Sequence, residues 1–203
     1  MLAVVAGCAD APTDPSGTGA AAEPAPVEDS TGVATPTPVA PARRARSVAQ
    51  AQPPRSLLLP SGRTVAIDAV GTTPDGLLDV PPDVAVAGWW DGGARLGDPF
   101  GSVLVAAHVD SRTQGLGPFA ELLEVDPGAR LRLESAGLRQ SFEVRSRRLV
   151  PQGSLVDDSW LFDASGPVRL TLVTCAPPYV ASRGGYQNLA VVTAVPLGRP
   201  EVR

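Results

Sequence analysis

Prolines and glycines cut this chain into short pieces. It holds 22 Pro and 21 Gly in 203 residues, and the apolar runs between them are brief and rich in Val and Leu. Pro removes a backbone donor and Gly supplies turns, so the pattern favours short strands joined by turns over long helices. A hydrophobic fraction of 43% suffices for a core, and aromatics at only 4% leave that core to Val, Leu and Ala. The length accommodates one domain of about 150 residues plus extra segments. Together these features predict a mainly-β domain, closed or nearly closed into a barrel, with short helices and long loops.

The first 54 residues read differently from the rest. Residues 1–8, Met-Leu-Ala-Val-Val-Ala-Gly-Cys, look like the end of a bacterial lipoprotein signal, with Cys8 the candidate lipid-attachment residue. A basic n-region is missing there and the apolar run is shorter than a full signal requires, so the segment reads as truncated. Residues 9–54 are dominated by Ala, Pro, Thr, Gly and Asp, with almost no large apolar side chain. Such a segment cannot bury enough surface to offset its ordering entropy, and it is expected to be a disordered linker. Its Arg43-Arg44-Ala45-Arg46 cluster reads as a solvated charge run. The expected location is extracytoplasmic, with the N-terminus as a membrane tether.

From residue 55 to 203 the chain alternates strand and turn signals. Thr64–Val70 alternates as a strand, and Thr73-Pro74-Asp75-Gly76 is a turn in which Pro presets φ and Gly accepts positive φ. Leu77–Val80 and Val84–Ala87 are short strand candidates, followed by Trp89 and Trp90, of which at least one is expected in the core. Gly117–Leu123 reads as a turn or two of helix with Phe119, Leu122 and Leu123 facing inward. Ala129–Glu134 and Gln140–Arg145 both show period-two alternation and predict an antiparallel hairpin with one wet face. Val150 to Gly166 is a long connection carrying Trp160. The net charge of −4 excludes the basic footprint of a nucleic-acid binder.

Chemistry concentrates at two strand ends. Leu170–Cys175 is an apolar, β-branched run, and Pro177-Pro178 is expected to stop it just after the thiol. Ser102–Ala107 is a second apolar run, ending at His108, the only histidine in the chain. A free cysteine is as a rule a buried, inert residue, and a lone histidine a satisfied structural one. One of each, placed alike on two strands, is also the pattern of a cysteine nucleophile with an imidazole acid–base partner. Asp110, two residues past His108, reads as a solvated loop charge. Two Cys and one His are too few for a zinc site, and no cofactor is expected.

Thr171-Leu172-Val173-Thr174-Cys175 matches the Thr-Leu-x-Thr-Cys signature of sortases, the cysteine transpeptidases of Gram-positive cell surfaces. Ala107-His108-Val109-Asp110-Ser111 with Gly117-Pro118-Phe119-Ala120-Glu121-Leu122 resembles the family's histidine segment and the short helix after it. Gly88-Trp89-Trp90 through Gly97-Asp98-Pro99 resembles actinobacterial members, of class F or E. The resemblance runs from about Arg55 to Leu197 and implies a closed barrel of about eight strands.

It also implies a two-step acyl transfer. Cys175 would attack a sorting signal of the Leu-Pro-x-Thr-Gly type, and an amine of a wall precursor, pilin or other surface protein would resolve the thioester. His108 would shuttle the proton, while Thr174 and Trp160 would contact substrate. The family's oxyanion-stabilising arginine leads into the last strand, where this chain has Gly185-Tyr186-Gln187-Asn188. Arg183 is the nearest candidate, with Gln187 and Asn188 as alternatives. An L,D-transpeptidase is disfavoured because its Ser-x-Gly-Cys context is absent. The alternative of another class is a non-catalytic, surface-tethered β-barrel that binds rather than reacts.

Overall fold

The structure is a computed structural model that describes residues 50–74, 76–152 and 159–203. The lipobox-like segment with Cys8, most of the linker, and part of the long connection lie outside the described residues. Among the described residues the strands are β1 (Ser56–Leu58), β2 (Thr64–Val70), β3 (Val86–Trp90), β4 (Ser102–Ala106), β5 (Asp110–Ser111) and β6 (Gly115–Leu116), followed by β7 (Arg130–Glu134), β8 (Leu138–Pro151), β9 (Arg169–Val180), β10 (Gly185–Pro196) and β11 (Glu201–Val202). The main sheet runs β10-β9-β4-β3-β2-β1-β7-β8-β11, and β10 also pairs with β8. That last pairing closes eight strands into a barrel, with β11 attached at the outside of β8. The expected architecture is the observed one.

Closure gives the sheet an inside and an outside, and the sequence alternation sorts residues between them. Inside lie Leu57, Val65, Trp89, Val105, Phe142, Leu170, Leu172 and Val192, all nearly inaccessible. The 3-10 helix Pro118–Leu123 plugs this core with Phe119 and Leu122, while Leu123 is only partly buried. A second, smaller cluster forms on the outer face, where Leu104, Ala106, Val173, Leu189 and Val191 are covered by Leu78, Val80, Leu161 and Phe162. Here the outer face of the barrel is apolar, and this is where the site is built.

Four elements differ from their sequence expectation, the first being the Val84–Ala87 candidate, whose strand begins only at Val86 and runs on to Trp90. β9 does not stop at the prolines: Tyr179 and Val180 still pair with Tyr186 and Gly185. Pairing between β9 and β4 ends at Ala106–Val173, so the missing N–H groups of Pro177 and Pro178 interrupt no second ladder. The second strand of the hairpin continues to Pro151 instead of ending at Arg145, because β10 supplies a partner along its distal half. Leu77–Val80 is not a strand; apart from an isolated bridge between Thr72 and Leu78, it lies over the outer apolar cluster. Ordered contacts also begin upstream of Arg55, since Gln52 pairs with Leu96 and its side-chain carbonyl accepts from Ser135 and Gly137.

Candidate active site

The parallel pair β4–β9 places the thiol and the imidazole. Its register sets Ala106 against Val173, and beyond the ladder Ala107 N–H still donates to the Val173 carbonyl at 3.1 Å. The Ala107 carbonyl in turn accepts the Thr174 hydroxyl at 2.8 Å. Carried two residues past Ala106 and Val173, the register brings His108 opposite Cys175. Side chains two apart share a face, and Ala106 and Val173 both face the outer cluster, so His108 and Cys175 emerge on that same outer face. Thr174 points the other way and is buried, which makes it a cross-strand tie between the two functional segments.

Both groups open into a groove of about 800 Å³ along the outer face of the barrel. Its walls come from Leu77, Leu78 and Val80 on one side and Leu161 and Phe162 on the other, over a floor of Leu104, Val173 and Leu189. Trp90 supports the second wall edge-on to Phe162, with ring centroids 5.0 Å apart. Trp89 faces the interior instead and satisfies its indole N–H on the Ala94 carbonyl at 3.0 Å. The groove is therefore mostly apolar, with the thiol and the imidazole at one place on its floor and Asp79 and Gln152 also along its lining.

Cys175 is half-buried and unpaired. Burial, and then the nearby Asp110 carboxylate, push its thiol above the ordinary range. Asp110 is not a solvated loop charge. It is half-buried and accepts the Tyr186 hydroxyl at 2.8 Å, and this bond is the main reason the phenol is pushed up to about 12. Sequence reasoning missed this pair because the partners lie 76 residues apart and no local pattern links the histidine segment to the segment holding Tyr186.

The remaining expected residues are distributed around the site. Thr174 borders the groove. Trp160 packs against the outer cluster beneath the Arg148 guanidinium, 5.6 Å from the ring, but does not line the groove. Arg183 lies on the exposed 3-10 turn Ala181–Arg183, which is not part of the groove lining and ends at Gly184 in the left-handed region. The Gln187 amide donates to Gly185 O at 2.7 Å and the Asn188 amide to Pro177 O at 2.6 Å, so both hold the arm beyond the cysteine. Among the described residues, no group of three His, Cys, Asp or Glu side chains could hold a metal ion.

A sequence model of the sortase domain matches residues 64–196, more than half of the chain. No curated protein sequence matches it. Among solved structures, sortase E1 of Streptomyces coelicolor is similar at 18% identity and a TM-score of 0.54, over 73% of this chain and 91% of that one. Sortase A of Listeria monocytogenes matches at 18% identity and a TM-score of 0.52, over 76% and 92%. A pilus-related sortase C of Group B Streptococcus matches at 18% and 0.53, over 72% and 68%. At these identities the structural matches speak for the fold, while the domain match spans both Cys175 and His108. The chain belongs to the sortase family.

Proposed function

We propose that this protein is a cysteine transpeptidase that cleaves a Leu-Pro-x-Thr-Gly-like sorting signal and passes the acyl group to an amine of the cell wall or of another surface protein. The observation that carries the reading is the pairing of Cys175 and His108 on the floor of an apolar groove, fixed through Ala107. An extended peptide with apolar side chains fits such a groove. The Cys175 sulfur attacks the Thr carbonyl carbon, forming a thioester, and the amine of the following residue leaves with a proton supplied by His108. The incoming amine loses a proton to the same imidazole and displaces the sulfur. The family likeness favours an actinobacterial enzyme of class F or E, held outside the membrane by its N-terminal segment.

Oxyanion stabilisation falls to Arg183. Its guanidinium has no hydrogen-bond or ion-pair partner within the described residues, and the turn bearing it runs into Gly184 and Gly185, both at positive φ. A peptide in the groove would recruit it by a change in that turn. Gln187 and Asn188 are less available, since their amides are already engaged.

Two observations favour the second reading, a binding barrel without catalysis: the resting thiol is disfavoured as a thiolate, and among the described residues no arginine lines the groove. A transfer assay separates the two. Full-length protein incubated with a Leu-Pro-x-Thr-Gly peptide and triglycine is expected to give the Thr–triglycine product by chromatography, and Arg183→Ala to lower its rate. Binding of the peptide without product, across a panel of sorting-signal peptides, would establish the binding barrel.

A further inference from the structure

One polar cluster faces the nucleophile and has no part in the acyl-transfer scheme. Asp110 follows His108 on β5 and accepts the Tyr186 hydroxyl. Tyr186 reaches it from β10 and packs edge-on against Tyr179 of β9 with ring centroids 5.1 Å apart. The Tyr179 hydroxyl accepts from Arg112 at 3.4 Å. Arg112, Tyr179, Tyr186 and Asp110 thus form a chain of contacts from the segment after His108 to the arm beyond Cys175. Asp110 stands two residues beyond His108, which the β4–β9 register sets opposite Cys175, and its carboxylate is the second cause, after burial, that pushes the thiol up.

We propose that the Asp110–Tyr186 hydrogen bond is a positioning device for the nucleophile, fixing a carboxylate beside Cys175 and tying the histidine segment to the arm beyond the cysteine. Other charged or titratable groups around it are His108 on the groove floor, Asp79 on the groove wall, and Arg112 and Tyr179 on the outer side. Arg112 is directed to Tyr179, so the phenol of Tyr186 is the hydrogen-bond donor that Asp110 has here. The bond pushes the Tyr186 phenol up to about 12, above the range in which a thiol ionises. Burial first, and then this anion near the sulfur, disfavour a negative charge there and push the Cys175 thiol above its ordinary range.

The catalytic meaning of this pair rests on the proposed acyl transfer, but its test reads the thiol alone. The pH dependence of Cys175 alkylation by iodoacetamide is measured on the full chain, with the Cys175 peptide quantified by mass spectrometry so that Cys8 does not contribute. Asp110→Asn is expected to lower the midpoint by about one pH unit, about tenfold in rate below it. Tyr186→Phe shifts it the same way by less, because the released carboxylate still samples the site. Adding Tyr186→Phe to Asp110→Asn changes nothing further, and Asp110→Glu restores the original midpoint. A wild-type midpoint in folded Asp110→Asn, or additive shifts in the double variant, overturns the proposal. Should Asp110→Asn not fold, Tyr186→Phe decides alone: an acidward shift supports the pair, and an unmoved or alkaline midpoint overturns it. Shifted midpoints without peptide transfer would uphold the positioning pair and reject the transpeptidase. Transfer with unmoved midpoints would do the reverse.

Discussion

The strand that carries the nucleophile has two unlike halves. From Leu170 to Val173, β9 is paired on both sides, to β4 and to β10, and its side chains alternate between the barrel interior and the outer cluster. From Ala176 to Val180 it keeps only β10, its register slips, and Pro177, Pro178 and Tyr179 are exposed. Cys175 stands at the junction. The first half gives the thiol a fixed origin, since double pairing and burial leave the backbone little freedom. The second half carries the exposed Tyr179 on a singly paired arm, where a change of conformation costs less. Rigidity before the thiol and adaptability after it suit the proposed acyl transfer from an extended peptide.

The largest effect that can break this comparison is chemical. Cys175→Ala is expected to abolish acyl transfer while leaving the fold intact, because a half-buried thiol contributes little packing. Residual transfer in that variant would place the nucleophile elsewhere. Next in size is the contrast in stability between the halves. Leu172 is fully buried, and Leu172→Ala is expected to cost about 2–5 kcal/mol in denaturant unfolding. Tyr179→Ala, on the exposed arm, is expected to cost under about 1 kcal/mol, within the usual range for surface changes. Equal costs would show the arm to be as integral as the barrel.

A smaller effect tests the tie between the strands. Thr174→Val leaves the Ala107 carbonyl without its side-chain donor in a buried place and is expected to cost about 1–3 kcal/mol, whereas Thr174→Ser restores most of it. The same Thr174→Val should reduce transfer through a lower kcat with little change in KM, because it disturbs the two reacting groups and leaves the groove walls alone.

The smallest effect is on alkaline stability. Tyr186 is raised from 10.0 to about 12 in the fold, so the folded state retains a proton that the unfolded state gives up first. Its stabilising contribution is complete below pH 10 and is lost as pH rises toward 12. Unfolding followed across that window should therefore decline less steeply in Tyr186→Phe than in the wild type. Identical slopes would mean that the Asp110–Tyr186 bond does not survive in solution.

Much of the first half of β9 and its surroundings was legible in the residues. β2 matches its alternation to the residue, the run Ser102–Ala107 forms β4 as far as Ala106, and Phe119 and Leu122 face inward from a short helix as their spacing requires. These are local signals, in which a period of two or a Gly-Pro boundary decides the structure. The second half was harder to read. Pro177-Pro178 argues for a strand end, and the strand continues because only one side of it is paired. β8 outruns its alternation because β10 meets it from far along the chain. Leu77–Val80 has strand-like composition but follows the apolar groove. Asp110 and Tyr186 carry no local signal, and only the closed barrel brings them together. The single His and the one Cys of the domain were legible as a pair, and the parallel register explains why.

The most direct test of the central claim is intact-protein mass spectrometry of the full chain with a Leu-Pro-x-Thr-Gly peptide, before and after addition of an amine. A covalent adduct of the mass of the Thr-terminated acyl fragment is predicted on Cys175, discharged by the amine and absent in Cys175→Ala. A folded protein that binds the peptide but never carries the adduct would contradict the account.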